Sequence, residues 1–338
     1  MGVTAAGAAI AVPPTLFITD AEVALLADWP AAVGALRRAY SASIAPAMVP
    51  PRSMARGEGL WLRGLTAVSP EGGHMGCKLI AASMKAQRAS YLISLFDQQS
   101  MALAALIDGN RITGIRTAAT AAVAVDAAAP RRPLRVAVIG SGFEAQGLLS
   151  ALAAVRTLAE VRVFSPTPAS RDRFADKFRQ ELSLIVTPVG QAQEAVTGAD
   201  VVLCAARSRD ESPVIRGEWL EPGMTVVSIG STLPEQREVD ETTIARASCI
   251  VADMPDEVAH DTGDMQVATR AGIEFASKLV PLSDLVGGRI TPVATDIVLY
   301  KSVGSALQDV VIAEMLLAQA RRKGLGSEMP HSIAPVAK

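Results

Sequence analysis

The chain has 338 residues, half of them hydrophobic and a fifth charged, with a formal net charge of -2. That length exceeds what one hydrophobic core ordinarily serves, so two units are expected. The near-neutral balance, without basic runs, argues against a nucleic-acid partner. Cys77, Cys204 and Cys249 show neither C-x-x-C nor zinc-ligand spacing and read as small buried residues of a reducing compartment. The three histidines suggest no metal. No apolar run approaches the roughly 20 residues that span a bilayer, and the N-terminus lacks the cationic segment of a signal peptide. A cytoplasmic protein without membrane or metal is the expectation.

Residues 1–18 read as a loose arm. Thr19-Asp20 offers an N-cap for a helix over 21–27, and Val33, Leu36 and Ala39 mark one face of a second over 31–40. Pro46 and Pro50-Pro51 break regular structure. Runs at 60–67, 75–82, 90–96 and 101–107, divided by turn residues at 70–73 and 97–100, predict an antiparallel sheet. An alanine-rich helix follows over 112–128, with small residues on nearly every face. Pro130 to Pro133 forms a hinge. Beyond it strands at 135–139, 161–164, 201–204, 225–229 and 249–252 alternate with helices at 143–156, 168–180, 214–220 and 236–245. This is the pattern of a doubly wound parallel sheet. Periodicity leaves 256–264 unplaced; Asp256, Glu257, Asp261 and Asp264 read as solvated loop charges or as contacts to a basic substrate. After Ile297–Leu299 a helix over 303–323 returns to the first unit, and the tail from Gly324 reads as flexible. The expected class is α/β: a Rossmann-type doubly wound sheet, residues 119–303, inserted into an α+β unit made of 1–118 and 304–338.

The β-branched run Val136–Ile139 ends at Gly140-Ser141-Gly142-Phe143-Glu144-Ala145, and a helix-forming run follows. G-x-G-x-x-A between strand and helix is a dinucleotide-binding pattern. The first glycine permits the turn, the second lets a pyrophosphate approach the backbone, and the small Ala145 lets helix pack on strand. Residues 140–145 are therefore the expected cofactor contacts. At the end of the next strand, where an acidic residue would bind a ribose 2′-OH, stand Ser165, Thr167, Ser170 and Arg171. Hydroxyls and a guanidinium suit a 2′-phosphate, which favours NADPH, with NADH as second choice. Thr167 and Pro168 equally fit the cap and first turn of the following helix.

Further stretches combine with the glycine turn. Pro50-Pro51-Arg52-Ser53, Gly76-Cys77-Lys78-Leu79 and IDGNRITGIRTAA over 107–119 precede it. Ala199-Asp200-Val201-Val202, Pro222-Gly223, Ile229-Gly230-Ser231, Pro234 with Arg237-Glu238, and Lys301-Ser302-Val303-Gly304 with Asp309 follow it. Over about residues 40–325 the chain resembles the ornithine cyclodeaminase/mu-crystallin family. The resemblance implies a homodimer whose outer unit binds substrate and dimerises. It also implies that Arg52, Lys78 and Arg116 line the substrate site and grip a carboxylate, which a guanidinium can hold by two parallel bonds. Ser231 and Ser302 join the cofactor contacts, and Ser302 shares a polar wall with Thr232.

Two departures shape the expected chemistry. Cyclodeaminases of the family carry an aspartate in G-G-D-x-P-G-K; here the stretch is Gly230-Ser231-Thr232-Leu233-Pro234-Glu235-Gln236. The Thr232 hydroxyl can neither hold negative charge beside a substrate ammonium nor act as a base at neutral pH. In addition, Leu62-Arg63 stands where relatives often have Met-Pro, at the border of the substrate pocket. The expected activity is NAD(P)H-dependent reduction of a small cyclic ketimine, Δ1-pyrroline-2-carboxylate to L-proline or its piperideine homologue to L-pipecolate. Lys78, Arg52, Arg116 and Thr232 form the expected catalytic set. The alternatives are a cyclodeaminase-type lyase with bound NAD, an amino-acid or opine-type dehydrogenase acting on keto and amino acids, and a non-catalytic, NADPH-binding crystallin-like protein.

Overall fold

A computed structural model describes residues 13–333, 335 and 336, so most of the expected N-terminal arm lies outside the described residues. Leu16–Ile18 forms β1, and Thr19 caps α1 (Asp20–Leu26) through a reciprocal capping box with Glu22. Asp28 caps α2 (Trp29–Ser41), which buries Val33, Leu36 and Ala39. Five strands then run antiparallel in sequence: β2 (Ser53–Gly57), β3 (Leu60–Val68), β4 (His74–Ser83), β5 (Arg88–Asp97) and β6 (Leu103–Asp108). The first of these has no period-two apolar signal and was not legible in the sequence. The long helix α3 (Asn110–Ala128) follows.

Beyond the proline segment come β7 (Leu134–Ile139), α4 (Phe143–Ala153), β8 (Leu158–Phe164), α5 (Pro168–Leu182), β9 (Val186–Pro188), α6 (Ala192–Val196) and β10 (Val201–Cys204). After β11 (Thr225–Ser228) stand α7 (Glu241–Arg246), β12 (Cys249–Ala252), α8 (Pro255–Asp261) and α9 (Gly263–Arg270). The chain then forms β13 (Leu279–Pro281), α10 (Leu282–Val286), β14 (Val298–Lys301), α11 (Ala306–Lys323) and β15 (Ser327–Glu328).

The strands assemble into two sheets, ordered β15-β1-β6-β5-β4-β3-β2 and β13-β12-β14-β11-β10-β7-β8-β9. Every pairing in the second is parallel. The chain winds from β7 outward to β9, then returns to lay β10 on the other side of β7. That reversal opens a crevice beyond the strand ends, where doubly wound folds bind their ligands.

Several expectations change. Residues 16–18 and 327–328 are strands: β1 pairs with β6 and β15 with β1, so both ends of the described chain are tied to the first sheet. Helix 214–220 reduces to a single 3-10 turn at Gly217–Trp219. Helix 236–245 starts only at Glu241, because the Glu238 carbonyl accepts the Val214 and Ile215 amides and holds that segment extended. Residues 256–264, unplaced in the sequence, lie in α8 and α9. The expected boundary at 118–119 falls inside α3, whose hydrogen bonding is unbroken to Ala128. Small buried residues let α3 pack on α2, α4 and α11 together; a Cβ on Gly147 of α4 would sit 3.4 Å from that of Ala118. No described helix is long and apolar enough to cross a membrane.

Asp200 fastens the start of β10 beside β7. Its carboxylate accepts two Arg132 bonds (2.9 and 2.6 Å) and the Arg135 amide (2.8 Å). Burial raises this carboxyl, but the Arg135 amide and the two guanidinium groups outweigh it and leave its pKa below the ordinary 3.8. A depressed carboxylate stabilises the fold above its unfolded pKa, and that contribution is lost as pH falls through the folded value. Asp200→Asn is expected to destabilise by about 1–3 kcal/mol at neutral pH and to flatten the loss of stability below about pH 4. Denaturant midpoints measured from pH 7 downward test both.

Candidate active site

At the end of β7, Gly140 has φ +108°, and a Cβ there would meet the Ala205 carbonyl at 2.6 Å. Only glycine makes this turn. Gly142 caps α4, and nothing lies within 4 Å of where its side chain would project, so the first amides of the helix are open to approach. Ala145 is fully buried, as helix-on-strand packing requires, and the Ser141 carbonyl accepts the Gln146 side chain. The exposed Phe143 ring lies across Gly114 of α3, where a Cβ would come within 2.5 Å of it. The turn is thereby fastened to the other unit, and these residues fit a dinucleotide.

At the end of β8, the buried Ser165 presents its carbonyl to Arg171 Nη1 at 3.0 Å. Thr167 occupies the cap of α5 without a side-chain bond, and Ser170 accepts from Arg173 at 3.1 Å. No carboxylate occurs between 165 and 171.

The cations come from the first sheet and from α3. In β4, Lys78 pairs with Leu65 and Ile93, a register that turns it inward beneath α11. It is 2% exposed; Nζ donates to Thr113 Oγ1 at 2.6 Å and Asp309 Oδ1 at 3.0 Å. Burial lowers the Lys78 pKa against the opposing pull of Asp309. Arg116 Nε lies 3.5 Å from the same Asp309 oxygen, and its Nη1 donates to Gln308 at 3.0 Å. Gln308 in turn donates to Asp253 at 2.9 Å and Tyr40 at 3.0 Å. Asp253 also gathers the Ser302 hydroxyl and the Val303 and Gly304 amides, fixing the loop after β14. Arg52 is paired with Glu257 of α8 and reaches the Val303 and Gly304 carbonyls at 3.4 Å. Arg52 and Arg116 thus flank Gly304.

Between α3 and the loops that leave the carboxyl ends of β10, β11 and β14 lies a cavity of about 270 Å³, lined by Thr113, Arg116, Glu144, Arg207, Thr232, Ser302 and Gly304 among others. Of the expected site residues, Arg116, Glu144, Thr232 and Ser302 meet there. Lys78 and Arg52 stand behind its wall, joined to it through Thr113 and Asp309 and through Gly304. Ser231 is not among its lining residues: it is fully buried and its hydroxyl donates to the Gln236 carbonyl at 2.6 Å.

The model of the ornithine cyclodeaminase/mu-crystallin family matches residues 69–324. The chain belongs to that family. It is 29% identical to a Δ1-pyrroline-2-carboxylate reductase of Bacillus cereus over 277 residues, 80% of this chain and 82% of that protein. The structure of Thermococcus litoralis Δ1-pyrroline-2-carboxylate reductase with NADH and L-proline gives a TM-score of 0.82 at 23% identity, over 93% of this chain and all of that one. The iminosuccinate reductase of Paracoccus denitrificans with NAD+ gives 0.85 at 23% identity, over 94% of this chain and all of that one. The Rossmann-type fold is shared with both.

Where cyclodeaminases of the family carry aspartate and lysine, Thr232 and Gln236 hold each other: the Thr232 amide and hydroxyl donate to Gln236 Oε1 at 2.9 and 3.1 Å. Glu144 follows the glycine turn into the same cavity. Its carboxyl faces the cavity, with Oε2 enclosed and unpartnered among the described residues. Burial raises its pKa, against the pull of Arg116 and Lys78. The acidic segment divides in two. Asp256 and Asp261 are exposed, as solvated charges should be, whereas Glu257 and Asp264 are buried against Arg52 and Lys301. Pro255 followed by Asp256 and Glu257, a proline and acidic residues in a first turn, was the available signal for α8. No motif assigns Glu238 a role; buried, it accepts the Ala206 and Gly230 amides and the Ser228 hydroxyl, tying two cavity loops together.

Proposed function

We propose that the chain is an NADPH-dependent reductase of a small cyclic imino acid, of the Δ1-pyrroline-2-carboxylate or Δ1-piperideine-2-carboxylate kind. One observation carries this reading: the cavity beside the glycine turn presents Arg116, joined through Asp309 to buried Lys78, and has Thr232 where deamination needs an acid. The name of the Bacillus cereus relative supports it. Reduction turns C=N into CH–NH, adding a hydride to carbon and a proton to nitrogen. Bound NADPH supplies the hydride. Arg116 and Arg52, held on either side of Gly304, orient the substrate carboxylate and so aim the imine carbon. Lys78 delivers the proton or a hydrogen bond at the nitrogen end, and burial lowers its pKa from the ordinary lysine value, which eases release of that proton. Thr232 and Ser302 complete the polar wall. The same reading makes the protein a homodimer through the antiparallel sheet, whose Leu60, Leu62 and Leu79 are exposed in the single chain.

NADPH oxidation by the purified protein with either cyclic imine, and no ammonia from L-ornithine, is the expected result. Ammonia release from ornithine without added reductant would overturn the reading. For the cofactor, Arg171 in the first turn of α5, its guanidinium on the Ser165 carbonyl, and the missing carboxylate after β8 support NADPH, although the two solved neighbours hold NADH or NAD+. Arg171→Ala is expected to raise KM for NADPH about ten- to a hundred-fold, the loss of a charge-assisted contact. KM for NADH should be little changed. Equal losses with both cofactors would remove the 2′-phosphate assignment.

A further inference from the structure

Arg63 stands on the same face of the first sheet as Lys78. In β3 it pairs with Met54 of β2 and Ile80 of β4, and Ile80 pairs with Tyr91 of β5. Leu65, Lys78 and Ile93 form the next row on that face, and Lys78 Nζ leans back over the Tyr91 ring at 5.7 Å. Arg52 immediately precedes β2, and its charge acts on Arg63. Lys78 and Arg63 thus stand in adjacent rows with Arg52 nearby, and Arg116 reaches them from α3.

Their balance is incomplete. Asp309 serves both Lys78 and Arg116, and Glu257 is paired with Arg52. Four cations thus share two paired carboxylates, with Glu144 facing Arg116 and Lys78 from the cavity and none of the three paired with Arg63. Arg63 has no salt bridge and no hydrogen-bond partner among the described residues, and its Nε is enclosed. Trp61 holds it in place, with the guanidinium carbon 5.2 Å from the ring centroid, a contact that orients the charge without neutralising it. Burial and the nearby Arg52 disfavour the charged form of Arg63, so the protein places this charge against its own solvation.

We infer that Arg63 receives a second carboxylate, making the preferred substrate a dicarboxylic imino acid. This rests on the reductase reading above. Arg116 and Arg52 take the carboxylate beside the C=N carbon, and Arg63 takes the one at the far end. Each guanidinium can hold its carboxylate bidentately.

The test compares Δ1-piperideine-2,6-dicarboxylate with Δ1-piperideine-2-carboxylate, the same ring with and without the second acid, as substrates with NADPH. The wild type is expected to favour the dicarboxylate by about ten-fold or more in kcat/KM. Arg63→Met should abolish that preference through KM, and Arg63→Lys should restore part of it. The monocarboxylate rate in Arg63→Met should stay within about threefold of wild type. An equal loss on both substrates in Arg63→Met would mean that Arg63 serves only to pack Trp61, and no wild-type preference would equally overturn the inference. Thermal shifts of the NADPH-bound protein with piperidine-2,6-dicarboxylate and with L-pipecolate separate the two claims. If neither imine is turned over but the diacid still stabilises in an Arg63-dependent way, the reductase reading fails and the second-carboxylate site stands. If turnover occurs without diacid preference, the reverse holds.

Discussion

Lys78→Met is expected to lower kcat for imine reduction by roughly 10²–10⁴-fold, the range for removing a positioned proton donor. Methionine fills similar volume, so β4 and the underside of α11 should keep their packing. The charge does not survive. Asp309 loses its 3.0 Å partner and retains Arg116 at 3.5 Å. A buried charge left wholly unpaired costs about 3–5 kcal/mol; with Arg116 still present, a loss of about 1–3 kcal/mol is expected. NADPH affinity should change little, because Lys78 lies outside the glycine turn. Single-turnover rates, a melting curve and an NADPH titration together check the three parts. A rate within about threefold of wild type would remove Lys78 from the chemistry.

Gly304→Ala is expected to lower kcat/KM for the imino acid by about a hundred-fold, as an ångström of displacement at a reacting centre can do. Gly304 has φ +80°, and a Cβ there would come within 2.7 Å of Arg116 Cζ and closer still to its nitrogens. The guanidinium has no easy retreat, since Gln308 and Asp309 hold its other side. The left-handed backbone adds about 1 kcal/mol of strain for alanine. Substrate KM should rise more than kcat falls, because in the proposed reaction Arg116 grips the carboxylate and does not move the proton. Unchanged steady-state kinetics would show that Arg116 has room the structure does not reveal.

The parts legible in the sequence share a physical cause. Strands 201–204 and 249–252 match residue for residue, because fully buried parallel strands are unbroken apolar runs bounded by polar residues. The glycine turn was legible because its backbone geometry excludes other residues. The partners of the cations were not. Asp309 meets Lys78 across 231 positions and Glu257 meets Arg52 across 205, and no local pattern encodes such distances. Strands β1 and β15 were hidden for a related reason: segments of three and two residues carry too little periodicity, and each exists only because a distant partner supplies its ladder. The motif position of Glu144 fixes its backbone but not where its side chain goes.

In the proposed reaction, helix α3 works as a ruler between the substrate and cofactor halves. Thr113 and Arg116 stand on it facing the cations, and Gly114, one position from Thr113, abuts Phe143 of the cofactor turn. Each residue inserted ahead of Arg116 would advance it about 1.5 Å and turn it about 100°, uncoupling substrate grip from cofactor seat at a stroke. Loops such as 232–236 can vary in length and chemistry while this spacing holds. Diversification of the scaffold should therefore favour loop changes and substitutions within α3 over any change in the length of its first turns.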